Sequence, residues 1–189
     1  MTERFRNKYR SPSARLTGYD YTRNGAYFVT ICTNKHICYF GDIIVETGLR
    51  PVSTKINSLY YPINSYCVKL SAEGKIVSDC WYDLPDHYSN IILDEFIVMP
   101  NHIHGIIIIQ NNSCKNQIHG LSEFVRAFKS FSSRRIKELH QSNISDTWQP
   151  RFYDHIIRCE NELDRIRIYI KNNPDNWLND KYCIIPKDL

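Results

Sequence analysis

No run of eighteen apolar residues occurs in the 189-residue chain, which excludes a membrane-spanning helix. No CxxC pair occurs among the seven cysteines, at 32, 38, 67, 80, 114, 159 and 183. Their odd number and irregular spacing argue against a disulfide framework or a cysteine zinc site. They read instead as free thiols in a reducing compartment. No apolar h-region follows the first residue: MTERFRNKYRSPSAR carries five basic residues and one acid, so no secretory signal is read and a cytoplasmic protein is expected. There is no internal repeat and no low-complexity tract. Nor is there a large excess of one charge, since 24 Lys and Arg stand against 20 Asp and Glu, a net +4. A polyanion would therefore have to be met by local clusters of basic residues. With 42% hydrophobic and 23% charged residues, the chain has the material for one domain with a real core, and two would be tight.

The stretch that stands out is FIVMPNHIHGIIII, residues 96–109, which sets His102 and His104 one residue apart in an otherwise apolar segment. In a strand alternate side chains share a face, so the two imidazoles project together about 7 Å apart along the chain while Ile103 points the other way. Ile106 and Ile108 continue the histidine face and Ile107 and Ile109 the opposite one, the pattern of a central strand covered on both sides. The spacing leaves two readings open. The histidines are hydrogen-bonded core residues, or they are two ligands for one metal ion at the end of a sheet.

Around this stretch the elements follow in order. Residues 26–33, AYFVTICT, read as a first strand. Residues 34–70 lack clean periodicity and are punctuated by Gly41, Gly48, Pro51 and Pro62; they read as a long connection or insertion with at most a short hairpin. Ser71 caps a helix carrying Ile76, Val77, Cys80, Trp81 and Leu84, which Pro85 is expected to stop. Ile91 to Met99, a turn at Pro100–Asn101, and His102 to Ile109 form an antiparallel hairpin. A helix from Leu121 to Gln141 buries Leu121, Phe124, Val125, Phe128 and Phe131. Phe152 to Arg158 is a fourth strand, and Glu160 to Asn173 a last helix ended by Pro174. This order argues for an α+β domain with a mainly antiparallel sheet and helices packed on one face. The division expected is a basic arm over 1–18, one domain over 19–178 and a tail over 179–189.

Two basic clusters could meet phosphates. In the arm, Arg4, Arg6, Lys8, Arg10 and Arg15 alternate with Phe5 and Tyr9, a mix suited to neutralising phosphates and stacking on bases, or simply to a solvated terminus. On the 121–141 helix, Arg126, Lys129, Arg134, Arg135 and Lys137 outnumber Glu123 and Glu138, giving either a phosphate-binding surface or a solvated face.

Taken together, the motifs resemble a known family. RLTGYDY (15–21), YFVTICT (27–33), W-x-x-L-P (81–85), FIVMPNHIHGIIII (96–109), LSEFVRAFKSFSSRRI (121–136), WQPRFYDHIIR (148–158) and YIKNNPDNW (169–177) resemble a single-tyrosine HUH transposase of the insertion-sequence-200-like superfamily, in its REP-associated tyrosine transposase branch. The resemblance implies a ferredoxin-like sheet whose middle strand carries His102 and His104, with Tyr169 brought over them on a helix as nucleophile. It implies a divalent cation, Mg2+ or Mn2+, held by the histidines and, one helical turn beyond the tyrosine, by Asn173, whose shorter amide stands where relatives commonly have glutamine. The activity it implies is cleavage and rejoining of single-stranded DNA near hairpins through a 5′-phosphotyrosine, with the DNA contacted by Arg126, Lys129, Arg134 and Arg135 and by Arg4, Arg6 and Arg10. His155 and Arg158 are secondary candidates for the phosphate. Family members work as monomers or homodimers, in the bacterial cytoplasm or nucleoid. The alternatives are a non-catalytic or domesticated nucleic-acid-binding protein and a replication-initiator or relaxase-type nicking enzyme, for which no helicase segment is present.

Overall fold

The computed structural model describes residues 4–5, 8–9, 16, 18–53, 58–111, 119–141 and 147–183. Two short strands, β1 (Arg4–Phe5) and β2 (Lys8–Tyr9), pair with each other. The body is a four-stranded antiparallel sheet of β3 (Gly25–Cys32), β6 (Ile91–Met99), β7 (His102–Ile109) and β8 (Tyr153–Ile157), in the order β6-β7-β3-β8. Between β3 and β6 in sequence comes a separate ribbon, β4 (Gly41–Ser53) paired with β5 (Ser58–Leu70). The helices are α1 (Ala72–Tyr82), α2 (Leu84–His87), α3 (Leu121–His140) and α4 (Glu160–Lys171).

The alternation read from residues 96–109 sorts the sheet into two faces. Tyr27, Val29, Ile31, Ile103, Ile107 and Ile109 face α1 and α3. Over this face the Trp81 ring lies parallel to Phe96, with centroids 4.5 Å apart, and meets Phe128 edge-on. The stack fits because position 105 is glycine: a Cβ there would run into the Trp81 ring. Gly105→Ala should therefore cost about 1–3 kcal/mol of stability by overpacking a core with no room to yield, measurable by denaturant unfolding.

The helices do not all lie on that face. Phe28 and Ile106 point the other way and would be left wet, and α4 covers them with Leu163, Ile166 and Ile170. Its seating is fixed by charge as well. The register between β6 and β7 shifts between Leu93 and Phe96, and from that irregularity Asp94 grips the Arg167 guanidinium through both oxygens, at 2.8 and 2.6 Å. Lys171 reaches Glu95 at 3.2 Å. The Arg167 hydrogen bonds hold the Asp94 carboxyl below its ordinary range.

Two local readings need correcting. Pro85 does not end the helical region: α1 stops at Tyr82, and Pro85 sits in the first turn of α2, where its missing N–H leaves no bond unmade. Residues 41–53 and 58–70 are not a loose connection but a ribbon of two 13-residue strands, running straight through Gly48, Pro51 and Pro62. In a two-stranded ribbon every strand is an edge, so a proline can turn its nitrogen outward without losing a ladder bond. The Ser71 cap is as expected, accepting from the Gly74 N–H at 3.0 Å. Among the described residues no helix is long and apolar enough to cross a membrane.

Candidate active site

The site is built on the first turn of the hairpin's return strand. His102 and His104 lie across β3 from Cys32 and Thr30 and are fully buried, 0% and 2% exposed. Each ring is held from behind. The Asn101 amide nitrogen donates to the carbonyls of His36 and Tyr182, at 3.0 and 2.7 Å, so its oxygen must face His102 and accept from Nδ1–H at 2.9 Å. That fixes the tautomer and leaves a lone pair on His102 Nε2. His104 Nδ1 lies 2.9 Å from the Thr30 hydroxyl, which can donate or accept. The two Nε2 atoms converge at 3.1 Å. Burial drives both imidazoles well below their ordinary value, His102 to about 2 and His104 to about 3, with the neighbouring His104 and the charges of His36 and Lys181 adding to the effect at His102 and Lys181 at His104. At neutral pH both are therefore uncharged and can serve as nitrogen ligands.

Docking of α4 on the Phe28–Ile106 face carries Tyr169 to the same place. Its hydroxyl lies 3.3 Å from His104 Nε2, and its ring meets Phe28 edge-on with centroids 6.0 Å apart. Burial raises the phenol above its ordinary pKa, while a hydrogen bond from the Asn173 amide pulls the other way. Asn173 itself is 2% exposed, and its Oδ1 is buried without a hydrogen-bond partner. An orphaned buried carbonyl oxygen is costly unless something electropositive meets it. The two neutral imidazole nitrogens, with a carboxylate within reach, are groups that could hold a divalent metal ion.

A further group arrives from residues 174–183, which sequence reading treats as the end of the domain and a tail. After a 3-10 helix at Pro174–Asn179, Asp180 brings a carboxylate oxygen to 3.9 Å from His102 Nε2. Tyr182 packs between the rings of His102 and His36, at 4.9 and 5.3 Å. No periodicity or motif marks residues 178–183. Thr30 and Asn101 were likewise legible only as a strand residue and a turn residue.

The remaining candidates fall elsewhere. His155 and the Arg158 N–H are both engaged by Glu162, each at 2.8 Å, so these residues secure the start of α4. On α3, Lys129 donates to the carbonyls of Gln149, Pro150 and Arg151, pinning that turn to the helix, and Arg135 pairs with Asp83 at 2.8 Å. Arg126 is mostly exposed, 3.9 Å from Glu123, and the Arg134 guanidinium lies over the Phe131 ring. Lys129, Ser130, Ser133, Arg134 and Lys137 line one wall of a cleft of about 570 Å³ that Thr147 and Gln149 complete, and among the described residues no acidic side chain lines it. Of the arm's three candidates, Arg4 is described in its backbone alone, and Arg6 and Arg10 lie outside the described residues.

Three comparisons bear on this arrangement. The family model described as "Transposase IS200 like" matches residues 84–173, a span that begins before the histidine strand and ends at Asn173. An uncharacterized protein of Haemophilus influenzae is 33% identical over 188 residues, covering 91% of this chain and 92% of its own. Among solved structures, a REP-associated tyrosine transposase bound to a REP hairpin superposes with a TM-score of 0.53 at 16% identity, over 86% of this chain and 73% of its own. That likeness establishes the α+β antiparallel fold.

Proposed function

Since the chain belongs to the IS200-like transposase family, we propose that it cleaves and rejoins single-stranded DNA beside a hairpin, through a covalent bond from Tyr169 to a 5′ phosphate, with Mg2+ or Mn2+ held by His102, His104 and Asn173. The observation that carries this reading is the convergence of Tyr169 on His104, 65 positions apart in sequence and 3.3 Å apart in space.

A phosphodiester repels nucleophiles by its own charge, so attack needs that charge offset and the phosphorus placed in line. When bound, the cation would neutralise a non-bridging oxygen and position the scissile phosphate. The protein supplies the rest. Tyr169 loses its phenolic proton to solvent and bonds through Oη to phosphorus, and the P–O3′ bond breaks. The departing 3′ oxygen takes up a proton and leaves as a hydroxyl. The Asn173 amide nitrogen stabilises the phenolate, because its hydrogen bond favours the charged form. The energy of the broken bond is retained in the phosphotyrosine, so rejoining needs no ATP.

Hairpin DNA as substrate is supported by the ligand of the structural relative, and single strands by the position of Tyr169, on a helix facing a sheet, which a phosphate within stacked duplex would reach poorly. Arg126, Arg134 and the cleft beside α3 are the basic surfaces best placed to hold its backbone.

Incubation of a labelled hairpin with a single-stranded flank, in Mg2+ or Mn2+, should give a protein–DNA adduct on a denaturing gel. Because burial keeps the phenol protonated at neutral pH, single-turnover adduct formation should rise about tenfold per pH unit between pH 6 and 8. Absence of an adduct with either metal would defeat the proposal, and a flat profile would remove the phenolate from the rate-determining step.

A further inference from the structure

We infer that Asp180 supplies an anionic ligand to the cation held by His102 and His104, so that the segment from Asp180 to Tyr182 is fastened to the fold by the metal. The inference rests on the cation-binding part of the reading above and assigns it a residue that lies outside the family-matched span.

Asp180 is held for this task by its own backbone. Its Oδ1 accepts the Tyr182 N–H at 2.7 Å, and the Asp180 N–H donates to the Trp177 carbonyl at 3.0 Å. With one carboxylate oxygen pinned, the other points at the imidazole pair, and the side chain is 8% exposed. At 3.9 Å from His102 Nε2 the contact is too long for a hydrogen bond. Nor has His102 a proton to offer there, since its one N–H is spent on Asn101. A buried carboxylate oxygen thus faces a nitrogen lone pair, an arrangement that repels unless a positive charge stands between them. The ligating atoms of His102, His104 and Asp180 all lie within 4.8 Å of one another, near enough for one ion to bond all three.

The ammonium nearby is placed differently. Lys181 turns its ammonium over the Tyr182 ring, 4.7 Å from the centroid, and 6.0 Å from that of Tyr153. With Asp180 included, the grouped donors are two imidazoles and a carboxylate, which would leave positions on a six-coordinate ion for phosphate oxygens. Two nitrogen ligands favour Mn2+ over Mg2+. The Asn101 amide links the two halves of the site, since the same side chain orients His102 and grips the Tyr182 carbonyl.

The test is Mn2+ titration of the full chain without DNA, followed by calorimetry, on the wild type, Asp180→Asn and His102→Ala. Asp180→Asn keeps an oxygen for the Tyr182 N–H and removes the charge. It should bind Mn2+ at least about tenfold more weakly than wild type, as His102→Ala should. Wild-type affinity in Asp180→Asn with loss in His102→Ala would overturn the role of Asp180 and leave the histidine site standing. Failure of the wild type to bind Mn2+ would overturn both. Hydrogen exchange on the wild type gives a readout that needs no variant to fold: Mn2+ should slow exchange at residues 180–183, and unchanged exchange there would contradict the inference.

Discussion

Tyr169→Phe should abolish the covalent adduct while leaving DNA binding within about twofold and stability within about 0.5 kcal/mol of wild type. The separation follows from what the hydroxyl does and what the ring does. The ring fills the edge of the Phe28 contact, which phenylalanine preserves. Tyr169 is 47% exposed, so loss of its hydroxyl leaves no buried partner stranded other than the neighbouring His104 and Asn173, both of which the cation would still engage. Removing the atom that attacks phosphorus should cost at least about 10^4-fold in single-turnover cleavage, the scale on which loss of a covalent nucleophile acts. Cleavage by the phenylalanine variant at more than a hundredth of the wild-type rate would show that another group attacks.

The second large effect is on the histidines. His102→Ala and His104→Ala should each lower metal-dependent cleavage by about a thousandfold, and excess Mn2+ should fail to restore it. Both side chains are buried, so each truncation also empties space; a cost of about 1–3 kcal/mol in stability should accompany the loss and is read separately by thermal unfolding. In the wild type a chelator should produce the same loss, reversed on adding Mn2+. The two arms discriminate. A chelated wild type that still cleaves at full rate would return the imidazoles to the alternative left open by the sequence, core histidines with hydrogen bonds to Asn101 and Thr30.

How far the sequence led depends on whether a residue's task is set locally. The hairpin from Ile91 to Ile109 was legible because period-two alternation and a Pro-Asn turn are local signals, and the convergence of His102 with His104 follows from the pleat alone. The α4 helix was legible too, but not its face. That it covers the histidine side follows from the pairing of Asp94 with Arg167 and from the need to bury Phe28 and Ile106, both tertiary facts. The ribbon of residues 41–53 and 58–70 is not legible in the sequence, because proline and glycine normally interrupt strands and only a strand with a free edge escapes that rule. Lys129 reads as a phosphate contact until the turn at 149–151 is placed against it. Asp180 carried no signal at all: a single acid in a polar segment acquires meaning only when the chain folds it onto His102.

The central claim is that His102, His104 and Tyr169 form one reaction centre with Tyr169 as the attacking group. Its most direct test is to trap the adduct on hairpin DNA, digest protein and DNA, and locate the modified tyrosine by mass spectrometry. Tyr153 and Tyr182 also pack around the pair, through Phe28 and against His102, so the assay has real competitors. The account predicts a nucleotide on the peptide containing Tyr169; modification of Tyr153 or Tyr182 with Tyr169 unmodified would contradict it.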